Sequence, residues 1–332
     1  MKRIFALFVV LFALLEASCA NDAAFEIHFI DVGQGDAALV LCDGEAMLID
    51  GGDSKASSLI YSYLKQHNVS HINHIIATHA HEDHIGGLAG ALNFATVDAA
   101  YCSVTAYNNE AFSVFEKYLA EQNVNITIPA AGDTFMLGSA SVEILAPVKT
   151  AIKHNDNSIV LRIVYGNTSF LFTGDAEKEE EHSILDAAYD IQSTVLKVGH
   201  HGSDTSTTSS FLQKVSPEYA VISAGMNGYP TNDTLAMLSY SGAEVYRTDL
   251  QGTIICTSDG ESVSFITEKK DTATQEEVAE YEGYILNTKT KKFHYPSCKS
   301  VQQIKEENKL DCTWARETIV DAGYAPCKNC DP

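Results

Sequence analysis

The sequence predicts an α/β fold built in layers, with a small cysteine-bearing unit appended, and three observations carry that prediction. The first is a pair of apolar runs, residues 38–42 and 46–49, joined by the turn Asp43-Gly44 in the manner of a hairpin. The second is the amphipathic stretch 57–66, which reads as a helix returning the chain to another apolar run at 72–77. The third is that apolar runs end in short polar loops rich in metal-ligand chemistry: Thr78-His79-Ala80-His81-Glu82-Asp83-His84, Thr173-Gly174-Asp175 and Gly199-His200-His201-Gly202. Strand pairs, then a helix, then a strand that delivers a ligand loop is the order of a layered α/β domain.

Taken in order, a strand over 25–30 leads into Asp31-Val32-Gly33-Gln34-Gly35-Asp36-Ala37. Its glycines bracket Gln34 and let the backbone approach something closely. Asp31, Gln34 and Asp36 are expected to meet substrate. Beyond the first ligand loop the pattern gives a strand at 95–104, a helix at 109–122, a short strand at 126–129 and strands at 140–145 and 159–164. A strand over 170–172 is followed by a helix at 177–189, a strand at 194–198 and a helix at 209–215. A hairpin of 253–257 and 262–266 around Asp259-Gly260 closes the large domain, 25–266. Residues 267–282 are polar and charged, as in a linker, and 283–332 form the small unit.

Composition bounds what this domain can do. A chain of 332 residues that is 45% hydrophobic buries a sizeable core and has room for one large and one small domain. A formal charge of −22 argues against nonspecific binding to nucleic acid or anionic lipid through the whole surface. A polyanionic substrate must then be drawn in by metal ions and local patches. Lys2 and Arg3, the apolar run 4–15 and the small residues Ala17, Ser18, Cys19 and Ala20 make 1–20 a secretory signal peptide. The run is too short to span a bilayer, so no transmembrane segment is expected after cleavage, and the protein is expected to be secreted or at the cell surface. Lipidation at Cys19 is the alternative, disfavoured by Glu16, which stands where an aliphatic residue is usual. Cys42 and Cys256, in apolar surroundings, read as small buried hydrophobes.

The loops carry the chemistry. On an extended segment His79 and His81 point the same way, while Asp83 and His84 face a neighbouring point, so one turn can serve two metal ions. Imidazoles with a carboxylate suit zinc, iron or manganese. Asp175 emerges at the same sheet edge, where taken alone it is also a plausible cap for the helix that follows. Of His200 and His201, one should complete the second metal and the other touch substrate or the leaving group, with His201 favoured as ligand. Ser203 and residues 205–208 are either a phosphate cradle of hydroxyls and turn amides or a serine-rich cap ahead of the helix at 209–215.

Together the Asp31–Ala37, Thr78–Gly87 and Leu196–Ser203 motifs resemble the metallo-β-lactamase superfamily, and within it the hydrolase domain of the ComEC competence channel and its free-standing relatives. The resemblance covers residues 25–266 and implies a four-layered αβ/βα sandwich with a site for two divalent metal ions, zinc or manganese, between the facing sheets. It implies that His79, His81, Asp83, His84, Asp175 and His201 are metal ligands, with Asp175 bridging, and that Asp83, His200 and His201 are catalytic. The chain departs from many superfamily members where Asn157-Ser158-Ile159 replaces a third histidine ligand; His154 nearby is expected to stay free and Asn157 to face substrate. It departs from ComEC relatives at Gly228-Tyr229-Pro230, where a histidine is expected in place of Tyr229; a phenol donates a hydrogen bond but is a poor proton shuttle near neutral pH.

The expected reaction is attack by a hydroxide held between the two ions on phosphorus, making the chain a secreted phosphodiesterase whose partner is DNA. A phosphorylcholine-type esterase on surface polymers, a lactam or lactone hydrolase, and a binding protein with a redundant hydrolase body are the alternatives.

In the small unit, His294-Tyr295-Pro296-Ser297-Cys298 and Cys327-Lys328-Asn329-Cys330 have zinc-site chemistry and resemble the Ada-like metal-binding module appended to bacterial secreted nucleases and hydrolases. The expected ligands of one structural zinc are His294, Cys298, Cys327 and Cys330, with Cys312 the alternative to His294 and a disulfide-stapled unit the alternative to zinc. A helix is expected over 301–308. Lys289, Lys291, Lys292, Lys299 and Lys305 make this the locally basic part of the chain, as nucleic-acid or cell-wall polymer contact would require.

Overall fold

In β1 (Phe25–Phe29) alternate side chains point opposite ways. Phe25, Ile27 and Phe29 enter one apolar core, whereas His28 turns to the other face and its Nδ1 lies 2.7 Å from the Tyr63 hydroxyl. That division recurs along the chain and generates the layers. A computed structural model describes residues 25–149, 151, 153–225, 228–269, 283–295, 298–305, 308–312, 314 and 316–328. The expected signal peptide, most of the expected linker and Cys330 lie outside the described residues.

After β1 come β2 (Ala38–Cys42), β3 (Glu45–Ile49), α1 (Ser57–Gln66) and β4 (His71–Ala77). Then follow α2 (Glu82–Ile85), α3 (Leu88–Phe94), β5 (Thr96–Cys102), α4 (Glu110–Glu121) and β6 (Ile126–Thr127). The second half holds β7 (Thr134–Leu137), β8 (Ala140–Ala146), β9 (Val160–Tyr165), β10 (Thr168–Phe172), α5 (Lys178–Asp186) and β11 (Val195–Lys197). It continues with α6 (Ser209–Val215), β12 (Tyr219–Ile222), α7 (Asn232–Ser241), β13 (Glu244–Arg247) and α8 (Thr248–Gln251), and closes with β14 (Ile254–Ser258) and β15 (Val263–Thr267).

The strands form an eight-stranded sheet in the order β15-β14-β1-β2-β3-β4-β5-β6 and a seven-stranded sheet in the order β13-β12-β11-β10-β9-β8-β7. Between them lies a core of Phe25, Phe29, Met47 and Ile49 against Ile144, Leu161, Phe170 and Phe172. The outer face of the first sheet packs Leu48, Ile75 and Ala100 under Ile60, Leu88 and Phe115 of the helices, and that of the second packs Leu171 and Leu196 under Ile184, Phe211 and Leu238. Helix, sheet, sheet, helix is the four-layered αβ/βα sandwich expected from the sequence. β3 to β6 and β10 to β13 are parallel. Their carboxyl ends therefore line up along one rim, where parallel sheets present their sites.

The small unit is a four-stranded sheet, β18-β16-β17-β19, of β16 (Tyr284–Asn287), β17 (Lys292–His294), β18 (Lys309–Cys312) and β19 (Ala325–Pro326), with α9 (Arg316–Asp321). Tyr295 donates a 2.6 Å hydrogen bond from its hydroxyl to Asp233 at the start of α7.

Several elements differ from the pattern reading. The helix expected over 301–308 is a single turn, Val301–Gln303, after which Ile304 is extended (φ −80°, ψ 127°) and the chain enters β18. α5 ends at Asp186, short of the expected 189, and Ala188 beyond it is left-handed at φ 58°. Residues 267–269, assigned to the linker, belong to the hydrolase body: the Glu268 and Lys269 amides donate to Thr253 and Gln251 carbonyls. β7, α7 and β13 were not read from the sequence, being too short or too weakly patterned to stand out from loops.

Candidate metal centre

The first ligand loop leaves β4 and is fixed from below by Asp50, at the end of β3. Asp50 is fully buried and left-handed at φ 57°; its carboxylate accepts 2.7 Å hydrogen bonds from both the amide and the hydroxyl of Thr78. Its Oδ2 also lies 2.8 Å from Nδ1 of His84. From the side the loop is braced by Gly35 (φ +131°), where a Cβ would run into the carbonyl of Asp83, and by the Asp36 amide, which donates to that carbonyl at 3.2 Å. The backbone approach signalled by the glycines around Gln34 is thus an approach to the ligand turn.

The second sheet brings the remaining groups. Asp175 follows β10, and its amide donates to the Ser158 hydroxyl at 3.1 Å. It does not cap α5, whose N-cap is Glu177. His200 and His201 follow β11 in left-handed backbone at φ 48° and 56°, an uncommon conformation that turns both rings back towards Asp175.

The ligand atoms converge. His79, His84 and Asp175 form one group, and Asp83, His84 and His201 a second, each with its ligand atoms within 4.8 Å of one another. Nε2 of His79 lies 3.8 Å from Asp175 Oδ2 and 2.9 Å from Nδ1 of His81. Nε2 of His84 and of His201 lie 3.3 and 3.6 Å from Asp175 Oδ1, and Nε2 of His201 lies 3.4 Å from Asp83 Oδ2. His84 Nε2, His201 Nε2 and Asp175 Oδ1 are buried and accept or donate no hydrogen bond within the protein. Buried polar atoms are almost always partnered, so three orphans aimed at one point fit a bound cation.

Electrostatics agree. Burial disfavours the imidazolium of His84, but Asp175 and Asp50 outweigh it and hold the ring well above the ordinary histidine range. His201 is pushed up to about 9, burial being outweighed by Asp175 and Asp36. Against its own burial, Asp175 is held well below the carboxylate range by His84 and His201. His79 is lowered, by burial first and then by His84. The carboxylates of the centre draw protons onto His84 and His201, and a divalent cation would replace those protons.

His200 stands at the edge of this cluster, its Nε2 3.7 Å from Asp175 Oδ2 and its Nδ1 3.0 Å from the Thr205 hydroxyl. Tyr229, half-buried, brings its ring to 6.0 Å from that of His200. His154 is exposed beside His81, ring centroids 6.0 Å apart.

Most of the expected substrate contacts turn inward instead. Asp36 is buried in an ion pair with Lys197 (2.8 Å) and lies 3.3 Å from Nδ1 of His201. The Asn157 amide group bonds the backbone of Ala151 and Lys153, shaping its own loop. Ser203 is buried and accepts from the Thr205 amide. Asp31 accepts from the Gly33 amide and faces Lys269, and Gln34 accepts from the Gly225 amide. The phosphate cradle fails for the same reason: the amides of Thr207 and Thr208 are taken by the Glu181 carboxylate, and the Thr208 hydroxyl caps α6.

Asp50, Lys197 and Ser158 are site residues to which the sequence reading gave no role, and Thr205, expected in a phosphate cradle, instead holds the His200 ring. The one available signal was Lys197 itself, a lysine inside an apolar strand, where only a buried partner makes a charge tolerable.

In the small unit His294, Cys298 and Cys327 are buried with ligand atoms within 4.8 Å of one another, and His294 Nδ1 has no hydrogen-bond partner. No disulfide joins cysteines among the described residues. Cys312 packs with Tyr284, Leu286, Phe293 and Ile319.

A four-layer sandwich with histidines and aspartates converging at the rim of its paired sheets defines a metal-dependent hydrolase. The chain belongs to the metallo-beta-lactamase superfamily, whose profile matches residues 30–225. Among similar proteins, ComE operon protein 3 of Bacillus subtilis is 30% identical over 267 residues, covering 74% of this chain and 34% of the relative. Competence protein ComA of Neisseria gonorrhoeae is 31% identical over 245 residues, covering 72% and 33%. The chain thus spans about a third of the length of these relatives. The solved metallo-beta-lactamase fold protein YhfI from Bacillus subtilis superposes with a TM-score of 0.50 at 13% identity, covering 70% of this chain and 98% of that one, a likeness of fold.

Proposed function

We propose that the chain is an exported phosphodiesterase that hydrolyses DNA with two divalent metal ions. The observation that carries this reading is the buried Asp175 carboxylate, which stands 3.8 Å from His79 on one oxygen and 3.3 Å from His84 on the other, so that it can serve two neighbouring cations. His79, His81 and Asp175 would hold the first, and Asp83, His84, His201 and Asp175 the second. Zinc or manganese there would supply Lewis acidity and lower the pKa of a water.

The chain's own residues do the rest. Asp36, held by Lys197, orients His201, and Asp50 orients His84. Thr205 fixes the ring of His200, leaving its Nε2 available to a departing oxygen. Tyr229 beside it can donate a hydrogen bond to a phosphoryl oxygen. DNA as substrate is supported by the likeness to Competence protein ComA and by the lysines of the small unit. Export is supported by the character of residues 1–20. In the small unit, His294, Cys298 and Cys327, with Cys330, would hold one structural zinc.

The test is incubation with plasmid DNA, a phosphorylcholine ester and nitrocefin in zinc or manganese, with Asp175→Asn as the blank. Metal-dependent cutting of the plasmid that Asp175→Asn lacks supports the reading. An intact plasmid alongside turnover of either other substrate overturns it.

A further inference from the structure

Beside the ligand His81 stand two rings that the hydrolytic machinery does not use, Tyr107 and His154. Tyr107 lies half-buried in the loop between β5 and α4. The exposed ring of His154 stands 4.9 Å from it at 87°, and the His81 ring 6.2 Å from it at 61°. Behind it, Phe112 approaches at 6.3 Å and 60°. All these neighbours meet Tyr107 steeply, so among the described residues no ring lies parallel to it.

The loop is held in register with the ligand turn by one side chain. Asn109 donates from Nδ2 to the Ala80 carbonyl, between His79 and His81, at 3.1 Å. Its Oδ1 accepts from the Phe112 amide at 2.7 Å, capping α4, and its own amide donates to the Tyr107 carbonyl at 3.1 Å. Tyr107 is thereby positioned relative to the metal ligands and not left to a free loop.

A nucleic acid whose phosphate is held at the ligands projects its bases a few ångströms to the side, and an aromatic face there binds any base by stacking. We propose that Tyr107, backed by His154, is a stacking subsite for the nucleobase next to the scissile phosphate. This rests on the phosphodiesterase reading. It makes the preferred substrate a single-stranded or frayed strand, chosen for carrying bases and not for their sequence, because every base offers a ring face.

The experiment compares an oligothymidylate with an oligomer of the same length whose residues are base-free tetrahydrofuran phosphates, so that the phosphodiester chemistry is shared. For the full chain with its metal, kcat/KM should favour the oligothymidylate by about tenfold or more, on the scale of one stacked base. Tyr107→Ala should bring the ratio towards unity through KM with kcat little changed, Tyr107→Phe should retain it, and His154→Ala should fall between. Equal cleavage of both oligomers by the wild type, or a parallel loss on both in Tyr107→Ala, overturns the subsite and leaves the phosphodiesterase reading standing. Cutting of plasmid but of neither oligomer also overturns the subsite. If plasmid and oligomers all stay intact, the phosphodiesterase reading itself fails and the subsite falls with it.

Discussion

Asp50 Oδ2 and His84 Nδ1 lie 2.8 Å apart with both side chains sealed from solvent, so the ring that faces Asp175 with Nε2 is aimed by a carboxylate from a different strand. Outer partners of this kind set both the tautomer and the orientation of a ligating histidine. Asp50→Ala should therefore weaken metal binding by about 10–100-fold, with activity falling in step at limiting metal. Titration of the metal-stripped protein with zinc checks it; unchanged affinity would remove Asp50 from the site.

The Lys197–Asp36 pair invites a stability measurement. Burial alone would raise the Asp36 pKa, but Lys197 and His201 prevail and hold it well below the carboxylate range. Lys197→Met leaves that carboxylate buried with only His201 as a close partner, which should cost about 3–5 kcal/mol in urea unfolding. Adding Asp36→Asn should recover much of the loss; a strictly additive double variant would mean the pair does not interact.

Acid sensitivity should come in part from His74. Its ring lies 4.4 Å from Phe135, its Nδ1 is buried without a hydrogen bond, and burial lowers its pKa below 6.5. Because the folded state resists this proton more than the unfolded state does, stability should be lost as pH falls below the unfolded value of about 6.5 and on towards the lowered folded value. His74→Phe should shrink the drop in melting temperature between about pH 7 and 5 relative to wild type. An identical drop in both proteins would exclude His74 as a source.

For the small unit, Cys327→Ser should remove one zinc per chain while the hydrolase metals remain, and should unfold the unit at lower temperature. Metal analysis decides. A mass lower by two hydrogens in the wild type, with no zinc missing from the variant, would point to a disulfide instead.

The sequence by itself determined the layers and the local part of the site. Apolar runs with period two or 3.6 gave the strands and most of the helices, because burial of one face is written into neighbouring residues. His79, His81, Asp83 and His84 were legible for the same reason: four ligands within one turn need no knowledge of the rest of the chain. Only the tertiary structure decided which polar groups face the pocket and which are consumed inside the protein. Asp36 looked like a substrate contact until Lys197, 161 residues away, was found neutralising it, and the hydroxyl-rich turn looked like a cradle until Glu181 was found on its amides. A buried polar group must find a partner somewhere, and where two sheets meet that partner comes from whichever distant segment the packing brings near.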